Sequence, residues 1–575
     1  MKILLPFSLL AASVTAISVW PLPVSYSTGN TTLWIDKNVQ ITVSGVGKSP
    51  GDEYNSTSGG DSIGAAQIVQ SAISRTQQTL FEQNFVPWKF HPRNSNFEPS
   101  TNDKIFVKHI LLSLNTTDSP NVLKPLAGEV DESYSLSIKP FGGVTISASS
   151  SIGLVRGLTT FTQLFYKHSK GGVYTPYAPV DIQDAPKFIH RGINMDVARN
   201  WFEVKDIKRM IDAASYTKLN RFHLHITDAQ SWPLEIPSMP ELTAKGAYRS
   251  DLTYSPAQLR DLQKYGALRG VEVYLEIDMP GHTSSIWYSH PELIASFNQQ
   301  PWDKFAAEPP SGTFKLNSTK VYDFLTKMFT DLLPRVSTYS AYFHTGGDEV
   351  NVNAYLNDET IKSNDSKILQ PYMQKFVDHN HDLVRKAGLT PLVWEEMLLV
   401  WNVTMGKDVV VQTWQSDAAL AQTVAKGHKA LAGNYNYWYL DCGHGQWLNF
   451  RQAGAAGFWP YADYCSPRKN WRLMYSYDPY SGIPKSDQHL VIGGEAHIWA
   501  EQTDPVNLDR MVWPRAAAAA EVLWSGAKDA QGLNRSQIEA APRLSELRER
   551  LVARGVMAEP VQMIFCLQGK DQCSL

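Results

Sequence analysis

The sequence is expected to fold as an α/β protein: a parallel (β/α)₈ barrel preceded by a smaller α+β domain. Three observations predict this. From Phe188 onward, short apolar runs alternate with amphipathic helical stretches; eight such runs fit before residue 499; and carboxylates, histidines and tryptophans gather just past their ends, where barrels of this type carry their active sites. An open doubly wound sheet would carry a glycine-rich phosphate loop after its first strand, and none follows here.

The first 18 residues read as a signal peptide: Lys2, then the apolar stretch Ile3 to Leu10, then small residues around Val14-Thr15-Ala16. Residues 19–184 mix β-rich runs (Val39–Val43, Tyr134–Ile138) with helical ones (Gly64–Gln83, Leu154–Tyr166) and carry no catalytic constellation. Gly51–Asp61 and Pro87–Asn102 are rich in Gly, Ser, Asn and Pro and read as loops, the second a candidate protease site near Arg93.

Residues 185–575 hold the barrel and a C-terminal segment. Its strands are expected at Ile189–Asp196, Arg221–Ile226, Val271–Ile277, Ala341–His344, Pro391–Trp394, Val409–Trp414, Ala430–Gly433 and Val491–Ile498. Helical periodicity marks Asp206–Lys218, Ala257–Arg269, Thr319–Leu333, Lys367–Lys386 and Asp417–Lys426.

Composition narrows the chemistry. Lys and Arg number 53 against 56 Asp and Glu, with no block of like charge, which argues against phosphate neutralisation on nucleic acid. No apolar run reaches the roughly 18 to 20 residues of a membrane span. The 17 tryptophans ask for a flat-faced ligand. Sequons at Asn30, Asn55, Asn115, Asn317, Asn364, Asn402 and Asn534 join the leader in favouring a secreted, extracellular or vacuolar product. Four cysteines allow three connectivities, of which their grouping favours Cys442 with Cys465 and Cys566 with Cys573; no cofactor and no metal is expected.

Nearly every functional-looking residue falls at a strand end. Strand one carries Arg191 and Asp196 in the run Arg191 to Asn200. Strand two ends in His223-Leu224-His225-Ile226-Thr227-Asp228, strand three in Glu276, Asp278 and Pro280-Gly281-His282, and strand four in His344-Thr345-Gly346-Gly347-Asp348-Glu349. Trp394-Glu395-Glu396, Trp414, Tyr439-Leu440-Asp441, Glu495 and Trp499-Ala500-Glu501 complete the ring. A cup of acids and indoles in a secreted protein fits glycoside hydrolysis. The adjacent Asp348 and Glu349 can both point into the cup but can hardly flank one anomeric carbon. Rival readings are a two-carboxylate glycosidase with Glu395, Glu495 or Asp278 as nucleophile, a lectin-like binder, and a metal-dependent hydrolase built on His223-x-His225.

These motifs, with Arg191-Gly192 and Gly493-Gly494-Glu495-Ala496, resemble those of the family-20 β-N-acetylhexosaminidases, secreted fungal members in particular. The segment starting at Trp20-Pro21-Leu22-Pro23 resembles their zincin-like accessory domain. The resemblance implies a retaining mechanism in which the substrate's acetamide attacks the anomeric carbon. It assigns Glu349 as general acid and base, Asp348 and Tyr439 as partners of the acetamide, and Arg191, Asp228, Asp441 and Glu501 as contacts of sugar hydroxyls. Trp394, Trp414 and Trp499 become walls, and His282 a neighbour of the acid. The substrate implied is a terminal N-acetylhexosaminide. A homodimer and a cut propeptide, up to about residue 100, that stays attached are also implied. One departure is Asp228-Ala229-Gln230, where relatives often have Asp-Asp-Gln.

Overall fold

The structure, a computed structural model, describes residues 17–45, 63–449, 459–569 and 571–575. Strands His190–Asp196, Arg221–Thr227, Glu272–Ile277, Tyr342–His344, Thr390–Trp394, Val410–Gln412, Lys429–Ala432 and Val491–Ile498 pair in parallel and close into a barrel, each within two residues of its expected place. The first, second, third and eighth are buried at every position, the pattern of strands packed between a filled barrel interior and an outer layer of helices. The helical layer is uneven. Val204–Tyr216, Pro256–Ala267, Thr319–Val336, Ser366–Lys386 and Asp417–Ala425 are full crossovers, but strand five is followed by only the five-residue helix Glu395–Leu399. Between strands seven and eight the described helices are similarly short, and Trp447 and Tyr464 of that segment stand at the barrel mouth.

The accessory domain is a mixed sheet in the order Ser25–Ser44, Phe106–Leu114, Gly143–Ala148, Tyr134–Ile138, Val173–Asp184, Tyr166–Lys167, packed against helices Ala65–Phe81 and Ser151–Gln163. Its 20-residue first strand pairs in parallel with Phe106–Leu114 and antiparallel with Val173–Asp184. Ile17 is fully buried in this core, so residues 17 and 18, expected as the end of the leader, belong to the packed chain; the remainder of the leader lies outside the described residues. The same holds for the loop expected at 51–61 and for Asn55, except that the loop's neighbours resume at residue 63.

Salt bridges tie this domain to the closed end of the barrel. Glu132 accepts from Arg156 Nε at 2.9 Å, Arg191 Nη2 at 2.6 Å and Asn220 Nδ2 at 2.8 Å. Burial opposes its charge, but the two guanidinium groups overcome it and hold the carboxyl down at about 2. Lys218 Nζ donates to Asp184 Oδ2 at 2.7 Å, and both side chains are fully buried. Arg543 donates to both oxygens of Glu521, which also accepts from the Leu22 amide.

Candidate active site

The loops after the barrel strands enclose a cavity of about 700 Å³, the size of a small-ligand pocket. Asp278, Asp348 and His282 form part of its floor, Trp414, Tyr435, Tyr439 and Trp499 its aromatic walls, and Arg199, Glu308, Asp441 and Glu501 its polar side. Trp447 and Tyr464 line it from the segment closed by the Cys442–Cys465 disulfide; Cys566 pairs with Cys573, as the grouping of the cysteines suggested.

Strand four ends in a chain reversal that only glycine permits. Gly346 and Gly347 take φ of +71° and +113°, and a Cβ on Gly346 would sit 1.9 Å from Asp278 Oδ1. Glu349 itself has φ +52°, an uncommon backbone for a residue with a side chain. Asp278 Oδ1 accepts the Gly347 amide at 2.8 Å, and its carboxyl faces that of Asp348. Burial and the facing Asp278 push Asp348 well above the usual carboxylate range; burial also pushes Asp278 up, to about 6.

His282 links this floor to Asp228. Its Nδ1 lies 3.1 Å from Asp228 Oδ1, and its Nε2 is 3.6 Å from Glu349 Oε2 and 3.9 Å from Asp278 Oδ2. Burial would discharge the ring, but Asp228, Asp278 and Asp348 outweigh it and hold His282 as imidazolium. Tyr439 is almost fully buried; burial raises its hydroxyl far above the ordinary phenol, so it remains a donor. Burial likewise raises Asp441, to about 7, and Glu501.

Arg191, expected at the cavity, does not line it. Arg191 is the second residue of strand one, at the end remote from the cavity, fully buried and spent on Glu132 and the carbonyls of Lys218 and Phe188. The arginine of the cavity is Arg199, three residues beyond that strand's other end. It is bound to Asp196, to Asp228 at 3.1 Å and to Glu308, with its guanidinium 5.2 Å from the Trp499 ring centre. Asp228 is fully buried one layer behind, accepting from Arg199, His225 and His282. Trp394 is also fully buried; it donates to Glu276 Oε1 at 2.6 Å and supports Trp499 from below instead of forming a wall. Glu308 was missed. It comes from the long loop 278–318, where no strand-end motif marks it, and accepts from Arg199 and from Gln230.

The rival nucleophiles are otherwise engaged. Glu495 lies inside the barrel, bonded to His190, His223, Tyr274 and Gln412. Glu395 is buried and accepts the Trp414 amide at 3.0 Å, while burial raises it to about 7.

A barrel whose open end presents paired acids, an arginine clasp and indole walls defines a glycoside hydrolase. The family model for glycosyl hydrolase family 20, catalytic domain, matches residues 188–527, and one described as beta-acetyl hexosaminidase like matches 19–164. A Beta-hexosaminidase of Arthroderma benhamiae is 42% identical over 97% of both chains. The Chitooligosaccharidolytic beta-N-acetylglucosaminidase of Ostrinia furnacalis is 33% identical over 79% of this chain and 77% of its own. Among solved structures, the exo beta-N-acetylglucosaminidase of Vibrio harveyi in complex with N-acetylglucosamine shares the fold, with a TM-score of 0.72 at 21% identity over 96% of this chain and 80% of that one. The chain belongs to glycosyl hydrolase family 20, and its enzyme class is that of the β-N-acetylhexosaminidases.

Proposed function

We propose that this enzyme is secreted and exo-acting, removing terminal β-linked N-acetylglucosamine or N-acetylgalactosamine from chito-oligosaccharides or glycans, with retention and with the substrate's acetamide as nucleophile. The placing of the two acids carries this reading. Oxygens of Asp348 and Glu349 lie, with a ring nitrogen of His282, within 4.8 Å of one another, and both arrive on one loop. Carboxyl groups this close suit retention, but neighbours on one loop cannot attack and protonate from opposite faces, which leaves the attack to the substrate.

In this reading Glu349 protonates the leaving oxygen and later activates water. Asp348 accepts the acetamide N–H and balances the charge of the oxazolinium ion. Tyr439 donates to the acetamide oxygen, Arg199, Asp441 and Glu501 hold ring hydroxyls, and Trp414 and Trp499 flank the sugar. Holding the nucleophile within the substrate supplies the intramolecular advantage, worth about 7 kcal/mol or more in favourable cases.

Chito-oligosaccharides are favoured by the printed activity of the Ostrinia relative. Secretion is supported by the leader and by the exposure of Asn30, Asn115, Asn317, Asn364, Asn402 and Asn534, and no helix among the described residues is long and apolar enough to cross a membrane. The homodimer belongs to the same reading and is tested by sedimentation. The deciding assay compares an aryl β-N-acetylglucosaminide with the matching aryl β-glucoside, which lacks the acetamide. Turnover of the first and almost none of the second is expected; equal rates would sink the mechanism.

A further inference from the structure

The sequence singles out His223-x-His225, and the reaction as described above makes no use of it. Both side chains point into the barrel, where they meet strand three: in the parallel register His225 lies opposite Glu276, and all three residues are fully buried. His225 is held at both ends. Its Nδ1 is 2.6 Å from Glu276 Oε2 and its Nε2 is 2.6 Å from Asp228 Oδ2. A neutral imidazole has one N–H and cannot donate to two carboxylates. A ring that donates at both nitrogens offers no lone pair to a metal.

The groups then run as a string from the barrel interior to the acid: Glu276, His225, Asp228, His282, Glu349. Arg199 braces the string at Asp228. We infer that His225 is a positioning residue for the general acid, an internal imidazolium that fixes Asp228 and through it the orientation and charge of His282 beside Glu349. No proton travels along the string; its alternating charges hold the last member in place.

The surroundings agree with a charged His225. Burial would strip its proton, but Glu276 and Asp228 outweigh burial and hold the ring well above the ordinary histidine range. Asp278 also faces it from strand three, and the Trp499 ring packs edge-on at 5.0 Å from the strand-eight loop. Glu276 in turn is faced by His223 and His344 and by the Trp394 indole, and Asp228 by Arg199 and His282. His344 Nδ1 lies 3.0 Å from the Gly346 amide nitrogen and 3.1 Å from Glu276 Oε1, and burial pulls this ring below the ordinary histidine range.

The inference rests on Glu349 being the acid, and the experiment separates the two. His225→Gln and Glu276→Gln are made in the full chain and compared with wild type and Glu349→Gln on a 4-nitrophenyl glycoside and on the disaccharide, which has a poor leaving group. For both string variants kcat is expected to fall at least about tenfold more on the disaccharide than on the nitrophenyl substrate, part of the range for general acid catalysis, with KM little changed and the basic limb of the pH profile displaced. Selective ¹⁵N-histidine labelling of wild type should show the His225 ring, identified by its loss in His225→Gln, protonated at both nitrogens at pH 8, beside that of His282. Should His225→Gln fail to fold, Glu276→Gln and the labelled wild-type spectrum still decide. A neutral ring at that position, or string variants whose losses are equal on both substrates, would overturn the proposal. If Glu349→Gln itself shows no dependence on the leaving group, the assignment of the acid fails instead.

Discussion

Asp348 and Glu349 are consecutive residues in contrasting surroundings: Asp348 is 8% exposed and faces the Asp278 carboxyl, while the Glu349 side chain is 35% exposed at the cavity wall. The left-handed backbone at Glu349 produces the difference by turning one side chain to the floor and the next to the opening. One carboxyl is thereby dried and paired, and the other can reach a leaving group.

Removing the acid should matter in proportion to how much help the leaving group needs. Glu349→Gln is expected to lower kcat/KM on the disaccharide by about 10²- to 10⁴-fold and on a 4-nitrophenyl glycoside much less. Steady-state kinetics on the two substrates measures the ratio.

Asp348→Asn should act on the other half of the step. The amide cannot balance the charge of the oxazolinium ion, so the rate of its formation falls by about 10²-fold or more whichever leaving group is used. An unchanged rate in single-turnover measurements would refute the assigned role.

Arg191 and Arg199 should part company. Arg191→Met strands Glu132 as a buried, partly unpaired charge and should cost about 3–5 kcal/mol of stability, read by denaturant unfolding, while the folded fraction keeps its kcat. Arg199→Met removes a clasp at the cavity, so kcat/KM should fall steeply even where the protein remains folded.

Stability should peak in mildly acid solution. Glu132 is held at about 2, below its ordinary 4.5, so its contribution is complete above pH 4.5 and is lost as pH falls toward 2. Asp278, Asp441 and Glu395 are held at about 6, 7 and 7, above their ordinary values of 3.8, 3.8 and 4.5. Their contribution is complete near pH 4 and is lost as pH rises through 6 to 7. The melting temperature of the ligand-free enzyme, scanned from pH 3 to 8, should therefore be highest at about pH 4 to 5.

The barrel was legible because strands buried on both faces leave short apolar runs, as in Val409-Val410-Val411 and Leu392-Val393-Trp394, and because strand ends concentrate the chemistry. The long strand Ser25–Ser44 was largely invisible: most of its residues are exposed or intermediate, Gly29, Asn30 and Asp36 among them, and only the pairing of its whole length reveals it. Arg191 misled because the motif around it was read without asking which end of the strand it occupies. Arg199 stood in the same run, on the side where barrels bind ligands. Glu308 had no local signal; the long loop 278–318 brings it to Arg199 only once folded. The burial of Asp228 and Trp394 also follows from packing that no strand-end pattern encodes.

The strand Ser25–Ser44 has one more consequence. It is stitched on both edges to chain that follows residue 100, and just before it Trp20 is pinned by its indole N–H to the Ala517 carbonyl near the far end of the protein. A protease cutting the loop at residue 93 would therefore release nothing. The product would be a two-chain enzyme, one species in native electrophoresis and two in denaturing gels, with its first fragment acting as a permanent non-covalent subunit.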